Sequence, residues 1–310
     1  MKRAREGTRV GKLLTEHSNP SSADLDRLSS LAIARIINRE DAKVAPAVKA
    51  ALPEIAKAMD LITAALKQGG RVIYVGAGTS GRIAALDAAE CPPTFNTDPR
   101  TVQFIIAGGP RALSAAVEAN EDSRRLGQRE LAKRNPGSND VVVGIAASGR
   151  TPFTIAAIEY ARRHGAKTVA VTCNRASPLA QAAHLAVVTE VGPEVIAGSS
   201  RMKAGTAQKM VLNMLSSGTM ARLGYVYGNL MVNVHRKNQK LGERAITILE
   251  RGAGIDRTRA RRLLRSARNS VPVALIMRKA KVGQSAAARA LKAAQGNVRQ
   301  AIAQAHRAKV

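Results

Sequence analysis

At 310 residues with 45% hydrophobic side chains, the chain carries enough apolar material for one large core or two modest ones, and no run of 18 or more apolar residues that would span a membrane. Its 49 Lys+Arg against 22 Asp+Glu give a formal net charge of +27, yet aromatics reach only 2% and Trp is absent, which leaves few stacking surfaces for single-stranded nucleic acid. Residues 251–310 hold 15 Lys/Arg against the single acid Asp256, a net +14, so this last fifth of the chain carries about half the excess; such charge usually suggests nucleic acid, but with no recognisable DNA- or RNA-binding motif it reads as a solvated basic face, and nucleic acid is not the expected partner.

Met1 to Arg9 is basic without the apolar stretch of a signal peptide, so the expectation is a soluble cytoplasmic protein. Residues 15–41 open with the cap-type residues Ser18, Asn19, Ser21 and Ser22, then place Leu25, Leu28, Leu31, Ile33 and Ile36 at helical spacing, which predicts a leading helix. A second, longer helix is predicted over Ala45–Leu66, ending at Gly69 and Gly70. From 71 to 190 short β-branched runs alternate with helical stretches: Val72–Val75, Val102–Ile106, Val141–Ile145, Thr168–Thr172 and Leu185–Thr189. Ile83–Ala89, Ala112–Arg124 and Pro152–His164 supply crossover helices, so the fold class is α/β, a three-layer α/β/α sandwich around a parallel sheet. Arg201–Leu223 follows as a long helix whose Met/Leu stripe is core. Beyond Gly254 three Ala/Arg-rich helical patterns, at about 257–268, 272–281 and 284–307, predict a small helical domain. The domain reading is an N-terminal helical segment (1–59), the α/β domain (60–225), a connecting segment (226–254) and the helical domain (255–310).

Three junctions carry the chemistry. Strand Val72–Val75 runs into Gly76-Ala77-Gly78-Thr79-Ser80-Gly81-Arg82 at a helix start, where free N–H groups and two hydroxyls suit a phosphate. Val141–Ile145 leads likewise into Ala146-Ala147-Ser148-Gly149-Arg150-Thr151-Pro152, with proline at the first helical turn. Gly198-Ser199-Ser200-Arg201-Met202-Lys203 is a third hydroxyl-rich start with two cations. The candidate ligand contacts are therefore Thr79, Ser80 and Gly81 in the first loop, Ser148, Gly149 and Thr151 in the second, and Ser199, Ser200 and Lys203 in the third. GAGTSG does not follow the dinucleotide fingerprint cleanly, and neither a Walker-type loop nor GxSxG occurs.

Two acids stand out near these junctions. Glu90 precedes Cys91-Pro92-Pro93, whose prolines are expected to hold the chain at a turn facing the strand ends, a placement suited to acid/base work. Glu121 is a second candidate, although Glu118, Glu121 and Asp122 in one helix would also make an ordinary solvated face. His17, His164, His184, His235 and His306 are scattered without metal-ligand spacing and read as structural or exposed, His235 being a weak candidate for a partner role. Cys91 and Cys173 support neither a disulfide nor a zinc site.

As a set, GAGTSGRIAALDAAECPPTF, AVEANEDS, VVVGIAASGRTPFTIAAIEYAR and GSSRMKAGTAQKMVLNMLSSGTM resemble the N-acetylmuramic acid 6-phosphate etherases. The likeness extends from TEHSNPSSADLD at Thr15 and RIINRED, through GNLMVNV at Gly228–Val234, to Gly296-Asn297-Val298-Arg299-Gln300. It implies a sugar isomerase (SIS) domain and a lyase-type cleavage of the D-lactyl ether of N-acetylmuramic acid 6-phosphate, without metal or cofactor, in cell-wall sugar recycling by a homodimer. The family's ECPP glutamate falls on Glu90, which would protonate the departing ether oxygen and later activate water; its EDS glutamate falls on Glu121, which would take part in removing the C2 proton. The alternative is a non-catalytic sugar-phosphate sensor, which has no need of both glutamates. Departures from the family pattern are Asn120, Gln295-Gly296 and the basic excess.

Overall fold

The computed structural model describes residues 17–115, 117, 120–233 and 239–308; Met1–Arg9, Thr15, Glu118, Val234 and His235 lie outside them. The chain divides into two units, one of residues 1–88 and 100–215, the other of residues 89–99 and 216–310.

In the first unit the expected leading helix is two short 3-10 turns, Pro20–Ser22 and Leu25–Arg27, followed by α1 (Ser30–Asp41). The second helix is broken in two, α2 (Val44–Ala50) and α3 (Leu52–Lys67), because Pro53 at the first turn of α3 restarts the hydrogen-bond ladder. β1 (Val72–Gly76), α4 (Gly78–Phe95), β2 (Val102–Ile106), α5 (Arg124–Ala132), β3 (Val141–Ile145), α6 (Pro152–Arg163), β4 (Lys167–Thr172), α7 (Pro178–Ala182), β5 (Leu185–Val188) and α8 (Lys203–Arg222) then follow in chain order. All five strands pair in parallel, in the order β2-β1-β3-β4-β5.

That order follows from burial on both faces. Every residue of β1 and β3 is buried, as a sheet covered on both sides by crossover helices requires. Ile73 and Val75 point into one core with Leu131 of α5 and Phe153, Ile158 and Ala161 of α6. Tyr74, on the alternate face, donates its hydroxyl to Asp87 of α4 at 3.0 Å, so α4 covers the other side. The chain leaves β1 for β2 on one side and returns to β3 on the other, and this switch opens a crevice at the C-terminal ends of β1 and β3.

Among the described residues of the range 112–123 the expected α-helix does not form. A 3-10 turn occupies Gly109–Leu113, and α5 begins only at Arg124, where the Ser123 hydroxyl accepts from the Leu126 N–H at 3.2 Å and caps it. Glu121 therefore sits in the loop ahead of α5, which removes the solvated-helix reading of that acid.

In the second unit, β6 (Val226–Tyr227) and β7 (Leu230–Met231) form a small hairpin, and α9 (Gln239–Ala253), α10 (Arg257–Ser266), α11 (Val271–Ala280), α12 (Gln284–Ala293) and α13 (Val298–Arg307) pack around Leu249, Leu264, Leu275, Ile276 and Val298. The single pattern expected over 284–307 is two helices, because Gln295 (φ 51°) and Gly296 (φ 88°) turn left-handed and end α12. Arg262, Arg265 and Arg268 are exposed, as a solvated basic face requires. No helix among the described residues is long and apolar enough to cross a membrane.

Candidate active site

The first loop delivers the start of α4 to the crevice. β1 ends at Gly76, and Gly78 takes φ 50°, a left-handed turn that reverses the chain into the helix. Gly81 N–H closes the first turn on the Ala77 carbonyl at 3.1 Å, which leaves the N–H groups of Gly78, Thr79 and Ser80 at the helix N-terminus, the arrangement that favours an anion. Thr79 is half-buried. Ser80 is buried, with its hydroxyl 2.9 Å from Gln208 Oε1 of α8, so it ties α4 to α8.

The second loop lies on the neighbouring strand, since Gly76 of β1 pairs with Ile145 of β3. Gly149 has φ 66°, and a methyl group built there would lie 2.3 Å from Ser177 Oγ and 2.7 Å from Thr172 Oγ1, so no larger residue fits. Ser148 Oγ accepts from the Arg150 N–H at 3.2 Å, and Asn174 donates to the Ala147 and Ser148 carbonyls at 3.1 and 3.2 Å, which fixes the loop from the end of β4. Thr151 is the N-cap residue of α6, but its side chain makes no capping bond.

Glu121 reaches both loops. A methyl group built on Gly78 would lie 3.2 Å from Glu121 Oε1, which sets the carboxylate against the start of α4. Its main-chain carbonyl accepts from the Phe153 N–H of α6 at 3.0 Å. The acid is thus set between two helix starts, beside the α4 N–H groups that attract an anion, an arrangement suited to holding a sugar phosphate while a proton is moved.

The third loop approaches the first from α8. A methyl group built on Gly205 would lie 3.4 Å from Thr79 Cγ2 and 3.6 Å from the Ser200 carbonyl, so the Ser200 backbone and the Thr79 side chain flank one point. Ser199 and Ser200 are half-buried.

Family models match residues 54–162 as the glucokinase regulatory protein N-terminal SIS domain and residues 128–217 as the SIS domain. An N-acetylmuramic acid 6-phosphate etherase of Vibrio vulnificus is 52% identical over 268 residues, 86% of this chain and 89% of that protein. The chain belongs to the N-acetylmuramic acid 6-phosphate etherase family. Etherases of Pectobacterium atrosepticum and Bacillus licheniformis are 48% and 46% identical, each match covering 96% of this chain and 98% of the relative. A phosphoheptose isomerase from Francisella tularensis has the same sheet fold, with a TM-score of 0.50 at 20% identity over 63% of this chain and 100% of that one.

Two residues of the etherase pattern lie elsewhere than the spacing suggested. Glu90 is not at a turn: α4 runs through it and through Pro92 and Pro93, so Glu90 is exposed on the helix about 18 Å beyond Gly78 at 1.5 Å per residue. The two prolines fall in the last turn, where the helix ends at Phe95. Lys203 is not a cation offered to a ligand, because its ammonium is 2.7 Å from Glu40 Oε2 and both side chains are 1% exposed. Burial without a counter-charge would cost several kcal/mol, and Glu40 supplies that charge.

Sequence reasoning missed Glu40, Glu194, Gln208 and Asn174, which hold the loops from outside. Asn174 alone had a visible signal, as a polar residue just past a buried strand. Of the described histidines, His184 bonds Thr168 Oγ1 through Nδ1 at 2.7 Å and His164 stacks on Tyr160, both structural roles.

Proposed function

We propose that this chain cleaves the D-lactyl ether of N-acetylmuramic acid 6-phosphate by elimination and hydration, giving N-acetylglucosamine 6-phosphate and D-lactate. The observation that carries the reading is the Glu121 carboxylate held against Gly78, with the Glu121 main-chain carbonyl bonded to α6, between the two loops suited to the phosphate. Identity of 46–52% to proteins named for this activity supports it.

The phosphate rests on the N–H groups that open α4, with the hydroxyls of Thr79, Ser148, Thr151, Ser199 and Ser200 around phosphate and sugar. Opening of the sugar ring exposes a C1 aldehyde, which acidifies the proton on C2. Glu121 takes that proton, the C2–H electrons form the C2–C3 double bond, and the C3–O bond breaks toward lactate. Glu90 as the acid gives the lactate oxygen its proton. Water then adds at C3, losing its proton to Glu90, while Glu121 returns a proton to C2. The class is a carbon–oxygen lyase, and the cytoplasm, where sugar phosphates are held, is the compartment this reading assigns, in cell-wall amino-sugar catabolism.

The exposure of Glu90 on the surface of α4, well past the helix start, supports a homodimer in which a second copy presents that residue. Mixing Glu90→Ala with Glu121→Ala chains tests it: about a quarter of wild-type lactate release returns if one site in each mixed dimer is intact, and none returns if both glutamates act within one chain. The reaction itself is tested with N-acetylmuramic acid 6-phosphate in heavy-oxygen water. Heavy oxygen belongs at C3 of the sugar and not in lactate, and Glu121→Gln lowers kcat by about 100- to 10,000-fold. Absence of lactate with the wild-type chain would sink the proposal.

A further inference from the structure

We infer that Glu40, Lys203 and Glu194 are positioning residues that set the third hydroxyl loop, and with it Ser199 and Ser200, for the sugar phosphate. In naming that ligand the inference rests on the etherase reading. Residues 196–198 are exposed, and the segment to Met202 is a chain of tight turns in which Ser199 N–H bonds the Ile196 carbonyl and Met202 N–H bonds the Ser199 carbonyl. Such a segment has little packing of its own, so its placement depends on its ends.

Both ends meet at one carboxylate. Glu194, fully buried ahead of the loop, accepts from the Lys203 and Ala204 N–H groups beyond it, at 3.0 and 2.9 Å, and so clasps the loop while capping α8. Upstream, Asn19 Nδ2 donates to the Pro193 carbonyl at 3.1 Å and the Ser22 hydroxyl to the Val195 carbonyl at 2.7 Å. Downstream, the first residue of α8 sends its ammonium to Glu40 of α1, whose other oxygen accepts from Lys43 at 2.6 Å.

A buried ion pair is a poor device for stability, since a well-packed apolar pair of similar volume is often as stable or more so. It is a good device for register. An ammonium and a carboxylate at 2.7 Å fix where α8 begins relative to α1, while apolar side chains tolerate sliding. Because the loop ends where α8 begins, and a misplacement of about 1 Å can cost 100-fold in rate, the pair acts on the substrate through Ser199 and Ser200 without touching it.

The test replaces the pair by an apolar one of similar volume, Glu40→Leu with Lys203→Met. Measured are the thermal midpoint, KM and kcat for lactate release, affinity for N-acetylglucosamine 6-phosphate by calorimetry, and hydrogen exchange at the Ser199 and Ser200 amides. The expected result is a midpoint near wild type, KM and the product Kd raised about ten-fold or more with kcat changed less, and faster exchange at both serines. Wild-type KM, product affinity and exchange in the folded variant would overturn the inference. Should the apolar pair fail to fold, Glu40→Asp, one methylene shorter, takes its place with the same readouts and the same two outcomes. If the wild-type chain releases no lactate the etherase reading falls, while product affinity and exchange still decide the inference.

Discussion

Replacing Gly78 with alanine separates the backbone role of that residue from its role beside Glu121. Its φ of 50° costs an L-residue about 1–2 kcal/mol, which in a unit of this size lowers the thermal midpoint by about 2–8 °C. The added methyl would stand 3.2 Å from Glu121 Oε1, tighter than an ordinary carbon–oxygen contact, so the carboxylate gives way by a few tenths of an ångström or more. Since about 1 Å of misplacement costs about 100-fold, kcat/KM for lactate release should fall by about 10- to 100-fold, mostly through kcat. Gly69→Ala is the control: its φ of 77° carries the same backbone cost, but a methyl there meets nothing within 4 Å. It should lose comparable stability and no activity. If Gly78→Ala loses stability yet keeps kcat/KM within about two-fold of wild type, Glu121 is not poised at the start of α4 and the proposed proton transfer is wrong.

Glu40 makes stability acid-sensitive. Burial pushes its carboxyl up, but the ammonium groups of Lys203 and Lys43 pull it down further, to about 2 from 4.5. A carboxyl depressed in the folded state contributes stability above its unfolded value, here about 3 kcal/mol, which is lost as pH falls from about 4.5 toward 2. Glu194 is raised, chiefly by burial, so its contribution runs the other way and declines as pH rises above 4.5. Denaturant titrations from pH 7 to 3 should therefore show an acid limb that Glu40→Gln abolishes; an identical limb in the variant refutes the assignment. Cys173, pushed up to about 11 by burial, stays a thiol at pH 8 and should react with iodoacetamide only as the chain unfolds; rapid labelling of the native protein would contradict that.

The sheet was legible because strands buried on both faces leave continuous β-branched runs, and all five occur within a residue or two of their expected places. The start of α5 was not, although Ser123 ahead of Arg124 was an available cap signal; the Ala112–Arg124 stretch has helical composition, and composition does not show where a chain turns. Pro92 and Pro93 read as a stop, yet α4 runs through both and ends only at Phe95, and this moved Glu90 from a turn onto the helix surface. Lys203 illustrates a further limit. A cation beside a serine-rich loop has the same sequence signature whether it faces an anionic ligand or a carboxylate, and its counter-charge stands 163 residues earlier.

That separation also sets a timetable. At about 5–20 residues per second, a ribosome that has finished Glu40 needs about 8–30 s to reach Lys203. Until then the carboxylate of α1 has no distant ammonium to bury against, and seating it alone costs several kcal/mol. The earliest helix is thus held back from its final berth until α8 emerges, by which time all five strands have been made. The first unit closes last at the place where its N-terminal segment was born first.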